Sequence, residues 1–178
     1  MSSRDNAEFL AKLLNDRNLH GEGVEIGVYQ GAFSVPFLRA WPGMLHLVDP
    51  WNLRKTGTSL RGDATDLELT RRALSTAGVL DRAVLHICYS AEAVLAARDS
   101  SLSFAYIDGD HRPTTVKEDL WAWWRKLAPG GLLAGHDYRH NCCVPQAVWD
   151  FMQRYRHTIQ IAPDDGNNGI WWCWKPQN

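Results

Sequence analysis

Apolar residues recur along this chain at two spacings, one helical and one strand-like, and the two alternate. Phe9, Leu10, Leu13 and Leu14 fall on one helical face within residues 5–17, ahead of Asn18 and the turn at Gly21, which predicts an amphipathic leading helix. A short apolar strand over 23–26 follows, then a helix over 32–40 stopped by Pro42 and Gly43. The second strand is 44–48. Residues 52–63 are polar, with Lys55, Gly57 and Gly62, and predict a loop suited to act as a lid. Leu67, Leu69, Leu74 and Ala77 predict a helix ending at Gly78, and 83–88 a third strand.

The alternation continues with a short helix over 92–97 and a strand over 104–107. Val116, Leu120, Trp123 and Leu127 share a helical face. Glu118 and Asp119 lie in the first turns of that helix, where the macrodipole favours acids, and Pro129, Gly130 and Gly131 are expected to end it. A fifth strand over 132–134 and a helix over 144–155, with Val148, Phe151 and Met152 inward, come next. Two last strands, 157–161 and 170–174, are joined by a turn rich in Asp, Gly and Asn. Such β/α alternation predicts an open α/β sheet, whose ligands bind beyond the carboxyl ends of the strands. Nothing repeats and no low-complexity linker divides the chain, so residues 1–178 are expected to form a single domain, a leading helix over 1–20 and a core over 21–178.

Charge and composition narrow the function classes. The formal net charge is -1 with signs interspersed, so the chain lacks the basic block that nucleic acid or an anionic membrane would require. No signal-peptide core or spanning stretch is present, and a cytoplasmic location is expected. Cys88, Cys142, Cys143 and Cys173 form no spaced framework and are expected to be reduced thiols. The nine tryptophans are mostly packing residues, among them Trp121, Trp123 and Trp124 on a helix and Trp171, Trp172 and Trp174 on a strand. Those a thin domain leaves exposed suggest a homodimer.

The candidate chemistry sits where strands end. The first strand runs through Glu25 into a turn with Gly27 and Gly31, and the second ends in Asp49. A dinucleotide site would place glycine where Glu25 stands, and a carboxylate there repels a diphosphate. No G-K-[ST] follows, so a phosphate-cradling loop is also absent. A cationic or zwitterionic ligand is the better match, unless Glu25 is only a solvated strand end and the glycines only turn. Asp108 ends the fourth strand while His136 and Asp137 follow the fifth, so three potential metal ligands come from adjacent strand tips. Carboxylates suit Mg²⁺, and His136 shifts preference toward Mn²⁺, Fe²⁺ or Zn²⁺. Asp108 and Asp137 serving only as hydrogen-bond acceptors is the alternative. His136, His140, Cys142 and Cys143 do not have the spacing of a structural zinc site.

Four stretches together resemble the class I S-adenosylmethionine-dependent methyltransferases, specifically the small O-methyltransferases related to the macrocin and mycinamicin enzymes. They are Val24 to Gly31, Val48-Asp49-Pro50-Trp51, Tyr106-Ile107-Asp108-Gly109-Asp110-His111, and Leu127 to Gly131 with Gly135-His136-Asp137-Tyr138. The resemblance covers nearly the whole chain. It implies a Rossmann-like α/β fold with a seven-stranded, mostly parallel sheet, a C-terminal antiparallel hairpin and helices on both faces. It further implies that Glu25, Gly27, Gly31, Asp49, Trp51, Ser90 and Asp108 bind the donor. Asp49 would take the ribose hydroxyls, Trp51 would border the adenine, and Ser90 would lie near the adenine amine, although Ser90 reads equally well as a helix cap. Asp108, His136 and Asp137 would hold a divalent metal, Mg²⁺ or Mn²⁺, departing from relatives with Asp-Asp or Asp-Asn at the fifth tip. His111, three residues past Asp108, matches the position of a general base, its alternative being a residue that closes the loop before Pro113. The implied activity is O-methylation of a small-molecule hydroxyl, on a sugar or a phenol. A donor-binding module without turnover is the second reading, and a nucleotide-sugar or NAD enzyme the third.

Overall fold

In the computed structural model, which describes residues 2–51, 64–138, 143–162 and 169–177, the alternating pattern becomes a three-layer sandwich. Helix α1 spans Ser3–Asn15 and opens on a capping box between Ser2 and Asp5. The capping box satisfies backbone donors that the first turn would otherwise leave bare. Then come β1 (Glu22–Ile26), α2 (Ser34–Ala40), β2 (Met44–Val48), α3 (Ala64–Thr76) and β3 (Ala83–His86). After these follow α4 (Ser90–Ala96), β4 (Leu102–Ile107), α5 (Pro113–Lys126), β5 (Leu127–Gly135), α6 (Cys143–Tyr155), β6 (Gln160–Ile161) and β7 (Trp171–Trp174).

The seven strands lie in the order β3-β2-β1-β4-β5-β7-β6. The first five strands pair in parallel, whereas β7 runs antiparallel to β5 and to β6. That is the expected sheet with its C-terminal hairpin. The chain reverses direction across β1 and β4, because strands are added outward on one side and then on the other. The reversal leaves a crevice between their tips. Alternate strand residues feed two cores. Phe104, Tyr106, Leu132 and Ala134 pack with α1, α2 and Trp41. Ala105, Ile107, Leu133 and Trp171 pack with Val116, Trp123 and Trp124 of α5 and Val148 and Phe151 of α6.

Two expectations change. Helix α5 ends at Lys126 rather than at the Pro-Gly-Gly run, and β5 already begins at Leu127 and runs through Pro129. The cause is tertiary. Lys175 Nζ donates to the Trp124 carbonyl at 2.9 Å and the Leu127 carbonyl at 2.6 Å, and Gly130 N–H bonds the Lys175 carbonyl at 2.9 Å. Those contacts satisfy the helix end from the residue that follows β7, so no glycine cap is needed. Asp119 lies in the second turn of α5 and is 5% exposed, on the stripe that carries Val116, Leu120 and Trp123. The lid reading of 52–63, His140, Cys142 and the turn over 163–168 lie outside the described residues. No helix among the described residues is long and apolar enough to cross a membrane. Cys88 and Cys173 carry free thiols.

Candidate active site

The turn after β1 exists because of one contact. A Cβ on Gly27, whose φ is 87°, would lie 2.2 Å from the Asp108 carbonyl oxygen and 2.7 Å from Gly109 Cα. Only glycine lets the tips of β1 and β4 approach so closely. Gly31 differs. Its φ is 77°, yet an added Cβ would meet Thr70 Cγ2 at an ordinary 3.4 Å, so the dihedral rather than space demands glycine there. At Gly27 the backbone of Asp108 and Gly109 fills the space a side chain would need.

Asp49 holds the turn from the neighbouring strand. Its Oδ2 accepts the Val28 and Tyr29 N–H groups, both at 3.0 Å, and its Oδ1 accepts Trp51 N–H at 2.9 Å. Trp51 is 1% exposed and donates Nε1–H to the Tyr29 carbonyl at 2.8 Å, which Thr70 also reaches at 2.9 Å. Tyr29 and Trp51 have φ of 56° and 20°, values that cost side-chain-bearing residues of order 1 kcal/mol or more each. Such strain persists only where surrounding bonds hold it.

Glu25 is 1% exposed, on the opposite face of β1 from Val24 and Ile26, and accepts Ser34 Oγ–H at 2.5 Å. Burial drives its carboxyl well above the ordinary range, the Ser34 bond opposes this, and the charges of Asp108 and Asp49 add to the rise. Glu25 is thus no solvated strand end, and Ser34 is a partner the sequence reading missed. A hydroxyl three residues past Gly31, opening α2, was the available signal.

Ser90 opens α4 and faces α5. Its Oγ donates to Asp119 and accepts Trp123 Nε1–H at 2.8 Å, so two residues one helical turn apart clamp it. Burial raises Asp119 to about 6, with the Ser90 bond opposing. Asp119 too was missed as a site-supporting residue, although its place on the apolar stripe was readable.

At the tips of β4 and β5 the acids and histidines meet. His111 Nε2 lies 2.6 Å from Asp137 Oδ2, and His136 Nδ1 lies 3.3 Å from Asp137 Oδ1 and 3.8 Å from Asp108 Oδ1. Asp137 is buried and has φ of 59°, a further strained position. Asp108 is raised to about 7, chiefly by burial; the two histidines counteract this and Asp137 reinforces it. His111 is raised by its hydrogen bond to Asp137, against the effect of burial. Burial works to lower His136, but the Asp137 bond and the charge of Asp108 outweigh it and leave the ring above its usual range. Ligand atoms of Asp108, His111 and Asp137 lie within 4.8 Å of one another. That group holds His111 where the sequence reading expected His136, so the proposed base stands among the candidate metal ligands.

A family model described as a methyltransferase domain matches residues 24–138. Among curated proteins none matches the chain in sequence. The fold is similar to that of a methyltransferase from Geobacter sulfurreducens, with 21% identity and a TM-score of 0.69 over 95% of this chain and 77% of that one. An O-methyltransferase from Bacillus cereus in complex with SAH has 14% identity and a TM-score of 0.73, over 96% and 80% of the two chains. The O-methyltransferase TomG from Streptomyces achromogenes, involved in tomaymycin synthesis and solved with SAM, has 18% identity and a TM-score of 0.70, over 97% and 80%.

Proposed function

This chain belongs to the methyltransferase-domain family, and from that premise we propose that it moves a methyl group from S-adenosylmethionine to the hydroxyl of a small molecule, a sugar or a phenol. The observation that supports this reading is the crowding of acids beneath the glycine turn: Glu25 is raised partly by the charges of Asp108 and Asp49. A cation relieves that crowding and a diphosphate aggravates it.

When bound, the donor supplies a methyl group on a positively charged sulfur. Glu25, Gly27, Gly31, Asp49, Trp51, Ser90 and Asp108 would hold it. With three of roughly four acceptor positions of Asp49 already taken by N–H groups, this carboxylate shapes the turn and keeps about one position for a ribose hydroxyl. Ser90, clamped from α5, fixes the turn after β3 where the adenine would lie. Transfer in line with the breaking bond needs two ligands held in register, which the strand tips accomplish by position.

His111 removes the acceptor proton. The carboxylate of Asp137 accepts a hydrogen bond from Nε2–H, so the neutral ring keeps its basic lone pair on Nδ1. The mixed carboxylate and imidazole donors of Asp108, Asp137 and His136 fit a divalent ion such as Mg²⁺ or Mn²⁺, which would lower the acceptor hydroxyl's pKa when bound. Trp121 and Trp149, 39% and 55% exposed, are proposed as part of a homodimer contact.

Side-by-side calorimetry with S-adenosylmethionine and NAD tests the premise, and methyl release to a panel of sugar and phenol acceptors tests the reaction. Saturable donor binding and turnover of a hydroxyl acceptor are expected. NAD binding in place of the donor, or donor binding with no turnover, would overturn the reading.

A further inference from the structure

A second polar cluster lies on the sheet itself, away from the strand tips. Glu22, His46 and His86 come from three adjacent parallel strands. Val24 pairs with His46 and Val48 with His86, so each cluster residue stands two positions before the partner of the next, and all three share one face along a diagonal. His46 Nδ1 lies 2.9 Å from His86 Nε2, and His46 Nε2 lies 3.5 Å from Glu22 Oε2. Parallel strands covered by helices normally carry apolar side chains on both faces, so a polar diagonal under α4 departs from the rule.

Above the diagonal lies a cavity of about 130 Å³, bordered by Val24, Val48, the small Ala93, Ala96 and Ala97 of α4, and Trp123. A water molecule occupies about 30 Å³ of liquid, so the cavity has room for an ion with water ligands.

We propose that His46 and His86 form a binding site for a divalent transition metal of the Zn²⁺ type, with Glu22 orienting His46 from behind. Two imidazole nitrogens on one tetrahedral ion stand about 3.3 Å apart, whereas these face each other head-on at 2.9 Å with ring centroids 5.1 Å apart, so each ring turns by roughly 35° for the two lone pairs to meet at one ion. Imidazole without carboxylate in direct contact selects Zn²⁺, Ni²⁺ or Cu²⁺ over Mg²⁺ and Ca²⁺. Glu22, 3.5 Å beyond the far nitrogen, favours the tautomer with the proton on Nε2 and the lone pair on Nδ1. Water in the cavity completes the coordination. The exposed Arg98 borders the same cavity and weakens cation binding there. The ion would tie edge strand β3 to β2, and it does so independently of methyl transfer.

The test is a Zn²⁺ titration of chelator-treated whole protein by calorimetry, with anomalous scattering at the zinc edge to locate the ion. One ion between the two rings is expected. His46→Gln and His86→Gln should each weaken that binding at least about 100-fold, Glu22→Gln about 10-fold, and Arg98→Ala should strengthen it. His111→Ala should leave this site intact, which separates it from any ion at the strand tips. Thermal melting without zinc shows whether the variants fold. No anomalous density between the two rings in the wild type, no zinc taken up at millimolar concentration, or unchanged affinity in both glutamine variants would overturn the proposal and leave a hydrogen-bonded histidine pair.

Discussion

The His111 imidazole and the Asp137 carboxylate are joined at 2.6 Å, although they follow different strands and stand on opposite sides of α5 in the chain. His111 remains an exposed residue while Asp137 is buried, so the ring is accessible while the carboxylate that orients it is fixed in the protein.

Replacing the base should therefore separate chemistry from binding. His111→Ala is expected to lower kcat by about 100-fold or more while the donor dissociation constant changes little. Asp137→Asn should produce a smaller loss of kcat with the same pattern, because the ring stays but its tautomer is no longer held. Steady-state kinetics beside donor calorimetry make the comparison, and an unchanged kcat in His111→Ala would remove the assignment.

Glu25 links donor binding to protons. Burial keeps its carboxyl protonated beyond the ordinary carboxylate range, whereas the cationic donor favours the ionised form. Binding should release a proton, and affinity should rise with pH until Glu25 is ionised in the free protein. Glu25→Gln should flatten that dependence with little loss of stability, since a neutral amide replaces a neutral carboxyl. Calorimetry in two buffers of different ionisation enthalpy counts the protons.

Asp119 makes folding depend on pH in the opposite sense from most carboxylates. Its folded value of about 6 lies above its ordinary 3.8, so the native state binds more protons than the unfolded chain between those limits. Stability should accordingly fall as pH rises from about 4 to 6 and stay lower above. Asp119→Asn, which retains an acceptor for Ser90 Oγ–H, should remove this slope and gain on the order of 1–2 kcal/mol at pH 8. Urea unfolding at pH 5 and pH 8 gives both numbers.

Gly27→Ala should be among the most damaging single methyl additions in the chain. The new carbon would press on the Asp108 and Gly109 backbone while forcing alanine to a positive φ, together costing roughly 3 kcal/mol. Donor binding should weaken as well, because the tips of β1 and β4 would separate. Denaturant unfolding and donor calorimetry on the same variant measure the two effects, and near-normal stability would show that the turn can move.

The order of elements was written in the chain, because alternating helical and strand spacing is a local property that each segment carries by itself. The acids at strand tips were visible for the same reason: a run of apolar residues ending in Asp49 or Asp108 marks both strand and tip. Pairing was not. Lys175 closing the end of α5, Ser34 against Glu25, Asp119 holding Ser90, and Asp137 holding His111 join residues 9 to 51 positions apart. Such bonds depend on which strands become neighbours and how closely their backbones pack. Whether a carboxyl is ionised or neutral followed from the same tertiary burial, since the cost of charge depends on the surroundings and not on the residue type.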